Sequence, residues 1–325
     1  MNSKVRRAAG ALAAEVEFDL QGHRGARGLR PENTLAAFAH ALSIGVTTLE
    51  LDTAVTKDGV VVISHDSELN PDITRDAFSG QWLERTGPAI FSMTFAELQK
   101  YDVGRLRPSS AYGTRFKEQV AVDGACVPRL ADLFALVKKS GNTTVRFNIE
   151  TKLDPRTPAA TPQAEAFATA VVEQIRAAGM EKRSTVQSFD WSTLKVVKRI
   201  APEIATVCLT TQQGADDNIG ADQPGPSPWL GGLEASTFGG SVPKLVRAAG
   251  AAVWSPNFTD LSPEALAEAH THGLRVIPWT ANDPADMARL IDMGIDGLIS
   301  DRPDLLRNVL AEKGRRLPPK TPGTP

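Results

Sequence analysis

The stretch DLQGHRGARGLRPENTLAAFAHALSIGVTTLELD (Asp19–Asp52) contains one complete structural unit. A short β-rich run, Asp19–Gly22, ends in a glycine-flanked turn that carries His23 and Arg24. Leu35, Phe38, Ala39 and Leu42 then recur at helical spacing, with Asn33 as a fitting N-cap and Gly45 as a fitting stop. A second β-rich run, Thr47–Asp52, follows. Strand, helix, strand in that order predicts parallel strands joined by a crossover helix.

The same alternation continues outward from this unit. Further strand candidates are Val60–His65, Thr144–Glu150, Ser184–Ser188, Ala205–Leu209, Ala251–Ser255, Arg275–Trp279 and Gly297–Ser300. Most are near-continuous apolar runs, as expected for strands buried on both faces. Helical patterns span Leu130–Lys139, Pro162–Ala178, Trp191–Ile200, Val242–Ala249, Pro263–His272 and Pro284–Met293. Pro162, Pro263 and Pro284 suit a first helical turn, where a missing N–H costs nothing. Repeated βα units over this length predict a (β/α)₈ barrel. Nine strand candidates exceed the eight a barrel needs, and the span from Asp52 to Val60 is too short for a crossover helix. Residues 67–128 follow His65 and Asp66 as an insertion holding both tyrosines, Tyr101 and Tyr112, with Trp82, Phe91 and Phe95. Residues 210–240 are rich in Gly, Pro and Ser. Long connections of this kind predict a cap and a lid over one mouth of the barrel.

Composition sets the outer bounds. Of 325 residues, 42% are hydrophobic and 23% charged, ordinary for a globular chain. A formal net charge of −2 gives no case for nucleic-acid binding. No window reaches the roughly 18 apolar residues of a membrane span. Two cysteines, Cys126 and Cys208, lack metal-ligand spacing and read as buried thiols, with a single bridge as the alternative. Residues 1–18 place Lys4, Arg6 and Arg7 before a short, weakly apolar run, and read as a leader or signal remnant. The tail, residues 311–325, is basic and proline-rich and reads as disordered.

Four stretches at strand C-termini carry the chemistry. They are GHRG (His23, Arg24), LELD (Glu50, Asp52), ISHD (His65, Asp66) and NIETK (Glu150, Lys152). C-terminal strand ends converge on the face of a barrel that holds active sites. Glu50 and Asp52 are two residues apart on a strand, so their side chains share a face, and Glu150 and Lys152 repeat the spacing. Three unpaired carboxylates in one small volume repel, and a bound divalent cation removes that repulsion. Oxygen-only ligands suit Mg²⁺ or Ca²⁺. His23 and His65 are the candidates for proton transfer near neutral pH. Arg24 and Lys152 add anion-binding charge at the same mouth. His40, opposite the apolar stripe, reads as solvated, and His270 and His272 as residues of a last helical turn. A metal site, two imidazoles and two cations together call for a phosphate ester as substrate.

HRGARGLRPENTLAAF (His23–Phe38), LELDTAVTKDGVVVISHD (Leu49–Asp66), FNIETK, VQSF, PWTAND and GIDGLISDRPD resemble the glycerophosphodiester phosphodiesterases, in family order and over residues 19–310. The resemblance implies a single TIM barrel with an insertion after the third strand. It implies hydrolysis of small-molecule glycerophosphodiesters to glycerol 3-phosphate and an alcohol. Carried over by position, Glu50, Asp52 and Glu150 match the divalent-metal ligands, His23 and His65 the acid–base pair, and Arg24 and Lys152 the phosphate contacts. Trp279, in PWT, matches a wall of the substrate pocket, with barrel core as the equal alternative. The chain departs from the pattern at Ala131, where the family often carries an acid. Two other functions stay open: a lysophospholipase D acting on a lipid-bearing substrate, and a glycerophosphodiester-binding protein without turnover. The family works on both sides of the bacterial inner membrane, and the leader leans this chain toward the periplasm or secretion. Monomer and homodimer both remain open.

Overall fold

The computed structural model describes residues 17–220 and 225–322. In chain order, β1 (Asp19–Gly22), α1 (Leu35–Ile44) and β2 (Thr48–Val55) form the first unit. β2 turns back at Thr56–Val60 into β3 (Val61–Ile63), which pairs with it antiparallel. The insertion holds β4 (Arg75–Asp76), α2 (Phe95–Leu98), β5 (Tyr101–Asp102) and α3 (Ala111–Arg115). Regular alternation resumes with α4 (Leu130–Lys139), β6 (Arg146–Thr151), α5 (Ala164–Ala178), β7 (Ser184–Ser188) and α6 (Trp191–Ile200). It ends with β8 (Ala205–Thr210), α7 (Val242–Ala249), β9 (Val253–Pro256), α8 (Pro263–Thr271), β10 (Arg275–Val276), α9 (Pro284–Met293), β11 (Gly297–Ser300) and α10 (Pro303–Glu312).

The sheet runs β10-β9-β8-β7-β6-β2-β1-β11, with β3 off that path. Backbone N–H groups of Asp296 and Ile299 donate to the carbonyls of Val276 and Pro278 at 3.0 Å, joining the two ends. The product is a (β/α)₈ barrel of eight parallel strands. The surplus strand candidate is β3, which explains the short Asp52–Val60 connection: it is a hairpin, and Gly59 supplies its positive φ of 79°. The insertion therefore follows the third strand of the chain while separating the second and third staves of the barrel.

Alternation along the strands decides what the barrel contains. Leu20, Leu49, Leu51, Phe147, Ile149 and Val186 join the main hydrophobic cluster with the helices. Phe147 meets Phe134 of α4 edge-on, with centroids 4.9 Å apart. Inside the barrel, Val207, Val253, Ile277 and Ile299 form an apolar cluster on β8, β9 and the β10–β11 side. The opposite half is polar. Asn148 Nδ2 donates to Gln21 Oε1 at 3.0 Å and to Gln187 Oε1 at 2.7 Å, and Thr48 Oγ1 donates to Asp19 Oδ1 at 2.6 Å.

Some sequence expectations are corrected. Thr34, not Asn33, caps α1, accepting from the Ala37 N–H at 3.2 Å. Pro162 precedes α5, whose N-cap is Gln163. The sequence reading passed over α10, which opens on Pro303. Residues 311–322 are not a loose tail: Thr321 N–H donates to the Leu42 carbonyl at 2.9 Å, and Asn142 Nδ2 to Thr321 Oγ1 at 2.9 Å. Residues 323–325, and the leader reading for residues 1–16, lie outside the described residues. Cys126 and Cys208 are both free, Cys208 buried and Cys126 partly exposed. His40 is half-buried, and His270 pairs with Asp296 at 3.0 Å.

Truncating Phe147 leaves a cavity where β6 meets α4. Phe147→Ala is expected to lower unfolding free energy by about 3–5 kcal/mol, read by urea denaturation. A loss below about 1 kcal/mol would show that this contact does not pin the helix to the barrel.

Candidate active site

Glu50 and Asp52 of β2 gather with Glu150, near the C-terminal end of β6, each offering an oxygen within 4.8 Å of the others. The cause is register: β2 pairs with β6 so that Asp52 sits beside Glu150, and the pleat turns Glu50 to the same side as Asp52. All three are buried. Burial, then the Asp52 charge, pushes the Glu50 carboxyl well above its usual range. Burial likewise lifts Glu150 to about 7, although the Lys152 ammonium opposes it. Burial also works against Asp52, but the Arg24 guanidinium, His65 and Lys152 outweigh it and hold that carboxyl low. An all-oxygen donor set of this kind could hold a hard metal ion.

Each acid is also held by hydrogen bonds. Glu50 accepts from Arg24 N–H at 2.8 Å and from Gln187 Nε2 at 2.7 Å. Asp52 accepts from Asn33 Nδ2 at 2.9 Å. Asn33 takes the left-handed φ of 57° and Arg24 of 50°, so the HRGARGLRPEN loop folds both over the acids. Lys152 Nζ lies 2.8 Å from Glu150 and 3.7 Å from Asp52. Arg24 Nη1 lies 2.6 Å from Glu32, and its Nε 3.3 Å from Asp52. The two expected phosphate contacts thus face carboxylates in this structure, and Arg24 Nε is a buried donor without a hydrogen bond.

The two histidines stand beside the acids. His23 Nε2 is 3.9 Å from Glu50, while its Nδ1 meets Asp301 Oδ1 at 2.6 Å. His65 Nδ1 meets Asp66 at 2.7 Å. A carboxylate on Nδ1 fixes the tautomer and leaves Nε2 for the site. Burial, then Arg27, lowers His23 to about 4, although Asp301 opposes it. Burial, Arg24 and Lys152 lower His65 as well. Trp279 is half-buried, edge-on to Phe189 at 5.3 Å, and lines both cavities of this mouth. It serves as wall and packing surface together.

Sequence reasoning missed Asp301, Arg27, Glu32, Asn33 and Gln187 as site residues. Each lies inside a quoted motif. Asp301 directly follows β11, the same strand-end placement that marked the other acids. Arg27 clamps it through Nε at 2.8 Å and Nη2 at 3.0 Å.

The model of the glycerophosphoryl diester phosphodiesterase family matches residues 23–305, so the chain belongs to that family. It is accordingly a phosphoric diester hydrolase. It is 27% identical over 296 residues to a glycerophosphodiester phosphodiesterase of Caldanaerobacter subterraneus, covering 90% of this chain and 97% of that one. A Bacillus subtilis protein of the same name is 29% identical over 291 residues, covering 88% and 84%. A crystal structure from Silicibacter pomeroyi, provisionally assigned the same function, matches with TM-score 0.82 and 36% identity over 93% of this chain and 95% of that one. No helix among the described residues is long and apolar enough to cross a membrane.

The glycines of the HRG turn answer to the backbone. A Cβ on Gly22 would fall 2.1 Å from the Gly25 carbonyl oxygen, and one on Gly25, at φ 85°, 2.8 Å from α1 at Ala37. Gly25→Ala is expected to cost about 1–3 kcal/mol in urea unfolding. An unchanged midpoint would mean that the loop is not wedged against α1.

Proposed function

We propose that the chain hydrolyses glycerophosphodiesters to glycerol 3-phosphate and an alcohol, with Glu50, Asp52 and Glu150 holding Mg²⁺ or Ca²⁺ and with His23 and His65 as the acid–base pair. One juxtaposition carries this reading: three buried carboxylates within 4.8 Å, flanked by two imidazoles each oriented by an acid at 2.6 and 2.7 Å. When bound, the cation supplies positive charge against the charge that builds on the phosphoryl oxygens.

Two adjoining cavities support an orientation for the substrate. The smaller, ≈ 400 Å³, is lined by His23, Arg24, Arg27 and Lys152, and takes the phosphate and glycerol. The larger, ≈ 750 Å³, is lined by His65 but not by His23, and takes the leaving alcohol. His23, with Nε2 toward Glu50, accepts a proton from the attacking water as a new P–O bond forms. His65, on the boundary of both cavities, acts as the imidazolium with Nδ1 held by Asp66 and gives its Nε2 proton to the departing ester oxygen as the old P–O bond breaks. Arg24 and Lys152 bind the phosphoryl oxygens, and Trp279 forms the wall between the two sides.

The larger cavity is walled by Leu153, Phe189, Trp229 and Trp279, and its charged groups support a hydrophilic alcohol over an acyl-bearing one. Glu68, Asp154, Arg156 and Asp216 line it. The aromatic residues of the insertion lie elsewhere: Phe95 and Tyr101 pack on the insertion's own apolar cluster, and Trp82 stacks under Arg75.

Purified protein is expected to release glycerol 3-phosphate from glycerophosphocholine, to lose that activity in EDTA, and to act more slowly on lysophosphatidylcholine. No release would exclude the hydrolase reading in favour of capture without turnover, and equal rates would restore the lipid-bearing substrate. His65→Ala is expected to lower kcat by roughly 10²–10⁴-fold while sparing divalent binding by calorimetry, whereas Glu50→Ala weakens both. Near-normal turnover in His65→Ala would overturn the acid–base assignment.

A further inference from the structure

We propose that Tyr112, carried by the insertion, is a positioning residue that sets both the phosphate-binding Arg24 and the His23 imidazole through one hydroxyl group. The inference rests on the site roles given above. Tyr112 lies in α3, far in sequence from every motif of the mouth, yet its hydroxyl enters the first βα loop and touches two separate arms.

On one arm, the hydroxyl donates to Glu32 Oε2. The other oxygen of that carboxylate accepts from Arg24 Nη1 at 2.6 Å. On the second arm, the hydroxyl accepts from Arg27 Nη1 at 3.1 Å. The remaining Arg27 donors hold Asp301 at 2.8 and 3.0 Å, and Asp301 fixes His23 Nδ1 at 2.6 Å. A single O–H thus stands between the arginine assigned to phosphate and the carboxylate that orients the imidazole. Glu32 is buried, so a lost donor there is not replaced cheaply by solvent. Groups that orient functional side chains at one remove typically matter by 10–100-fold.

The ring and the hydroxyl are separable. The ring packs edge-on to Phe116 at 5.3 Å, and Arg27 stacks over Phe116 at 4.9 Å. The segment is tied down independently: Gln119 Nε2 donates to the Arg27 carbonyl at 2.7 Å and Val120 N–H to the Leu29 carbonyl at 3.0 Å. Tyr112→Phe keeps all of these contacts and removes only the hydroxyl.

The test compares wild type, Tyr112→Phe, Tyr112→Leu and Tyr101→Phe on glycerophosphocholine with saturating Mg²⁺, alongside calorimetric binding of sn-glycerol 3-phosphate and thermal melting. Tyr112→Phe is expected to lose roughly 10–100-fold in kcat, to bind sn-glycerol 3-phosphate more weakly, and to melt only slightly lower, as one lost buried hydrogen bond requires. Tyr112→Leu should match it in kcat, and Tyr101→Phe should match wild type. A Tyr112→Phe enzyme with wild-type kcat and wild-type binding overturns the proposal, and a defect confined to Tyr112→Leu assigns Tyr112 to packing instead. Should Tyr112→Phe not fold, Glu32→Gln carries the same comparison, and unchanged kcat and binding there overturn the proposal equally. A wild type without turnover fails the hydrolase reading, while the binding measurement still decides the role of Tyr112.

Discussion

Three carboxylates packed into a buried volume impose the constraint on which the site is built. Glu50, Asp52 and Glu150 are brought together by nothing more than the β2–β6 register and the two-residue period of the pleat. Burial, with the Asp52 charge behind it, raises the Glu50 and Glu150 carboxyls, while Arg24, His65 and Lys152 hold Asp52 low. Folding alone cannot offset that repulsion cheaply. The chain meets it with hydrogen bonds from Arg24 N–H, Gln187 and Asn33, and the three carboxylates together could hold a metal ion. The polar half of the barrel interior follows from the same demand. Gln187 is free to hold Glu50 because Asn148 occupies its other end, and Asn148 in turn is anchored on Gln21.

The partition of the lumen explains why the mouth is asymmetric. Val207, Val253, Ile277 and Ile299 fill the far side with apolar packing and need no partners. The near side spends its inward positions on polar groups that must all be satisfied. An apolar substitution at Gln21 or Asn148 would therefore act on the acids at a distance, through orphaned amides rather than through direct contact.

Most of the barrel was legible because its signals are local. Ser184–Ser188, Gly297–Ser300, Leu130–Lys139 and Trp191–Ile200 have the same bounds in sequence pattern and structure, since local periodicity decides each within a few residues. The acids and imidazoles were legible for a related reason: a titratable residue at the end of an apolar run has few structural uses. What escaped the sequence is what depends on tertiary pairing. Asn33 looked like a helix cap because its residue type suits one, yet its left-handed backbone turns the amide onto Asp52. Residues 311–322 looked loose by composition, but their backbone meets α1 and the Asn142 side chain, neither of which a local reading can supply. Asp301 and Arg27 each read as an ordinary charged residue until the closed barrel places them side by side.

The insertion shows how such long-range pairing can be put to use. Leu69, Ile90, Met93 and Leu98 share one apolar cluster with Ala54 of β2 and Val62 of β3, which ties the insertion to that hairpin. Its contact with the first βα loop is instead polar and narrow, made by Tyr112, Gln119 and the Val120 backbone, with Phe116 beneath Arg27. A segment tied to the barrel by several such contacts can deliver one hydroxyl to a fixed point, which a flexible loop of equal length could not do without a large loss of conformational entropy. Arg24 and Arg27 are both buried beside carboxylates, so their guanidinium planes are set by hydrogen bonds rather than by solvent. Orientation of the cations at this mouth is accordingly a property of the pairing between insertion and barrel, and the chemistry assigned to the strand ends depends on residues that no strand carries.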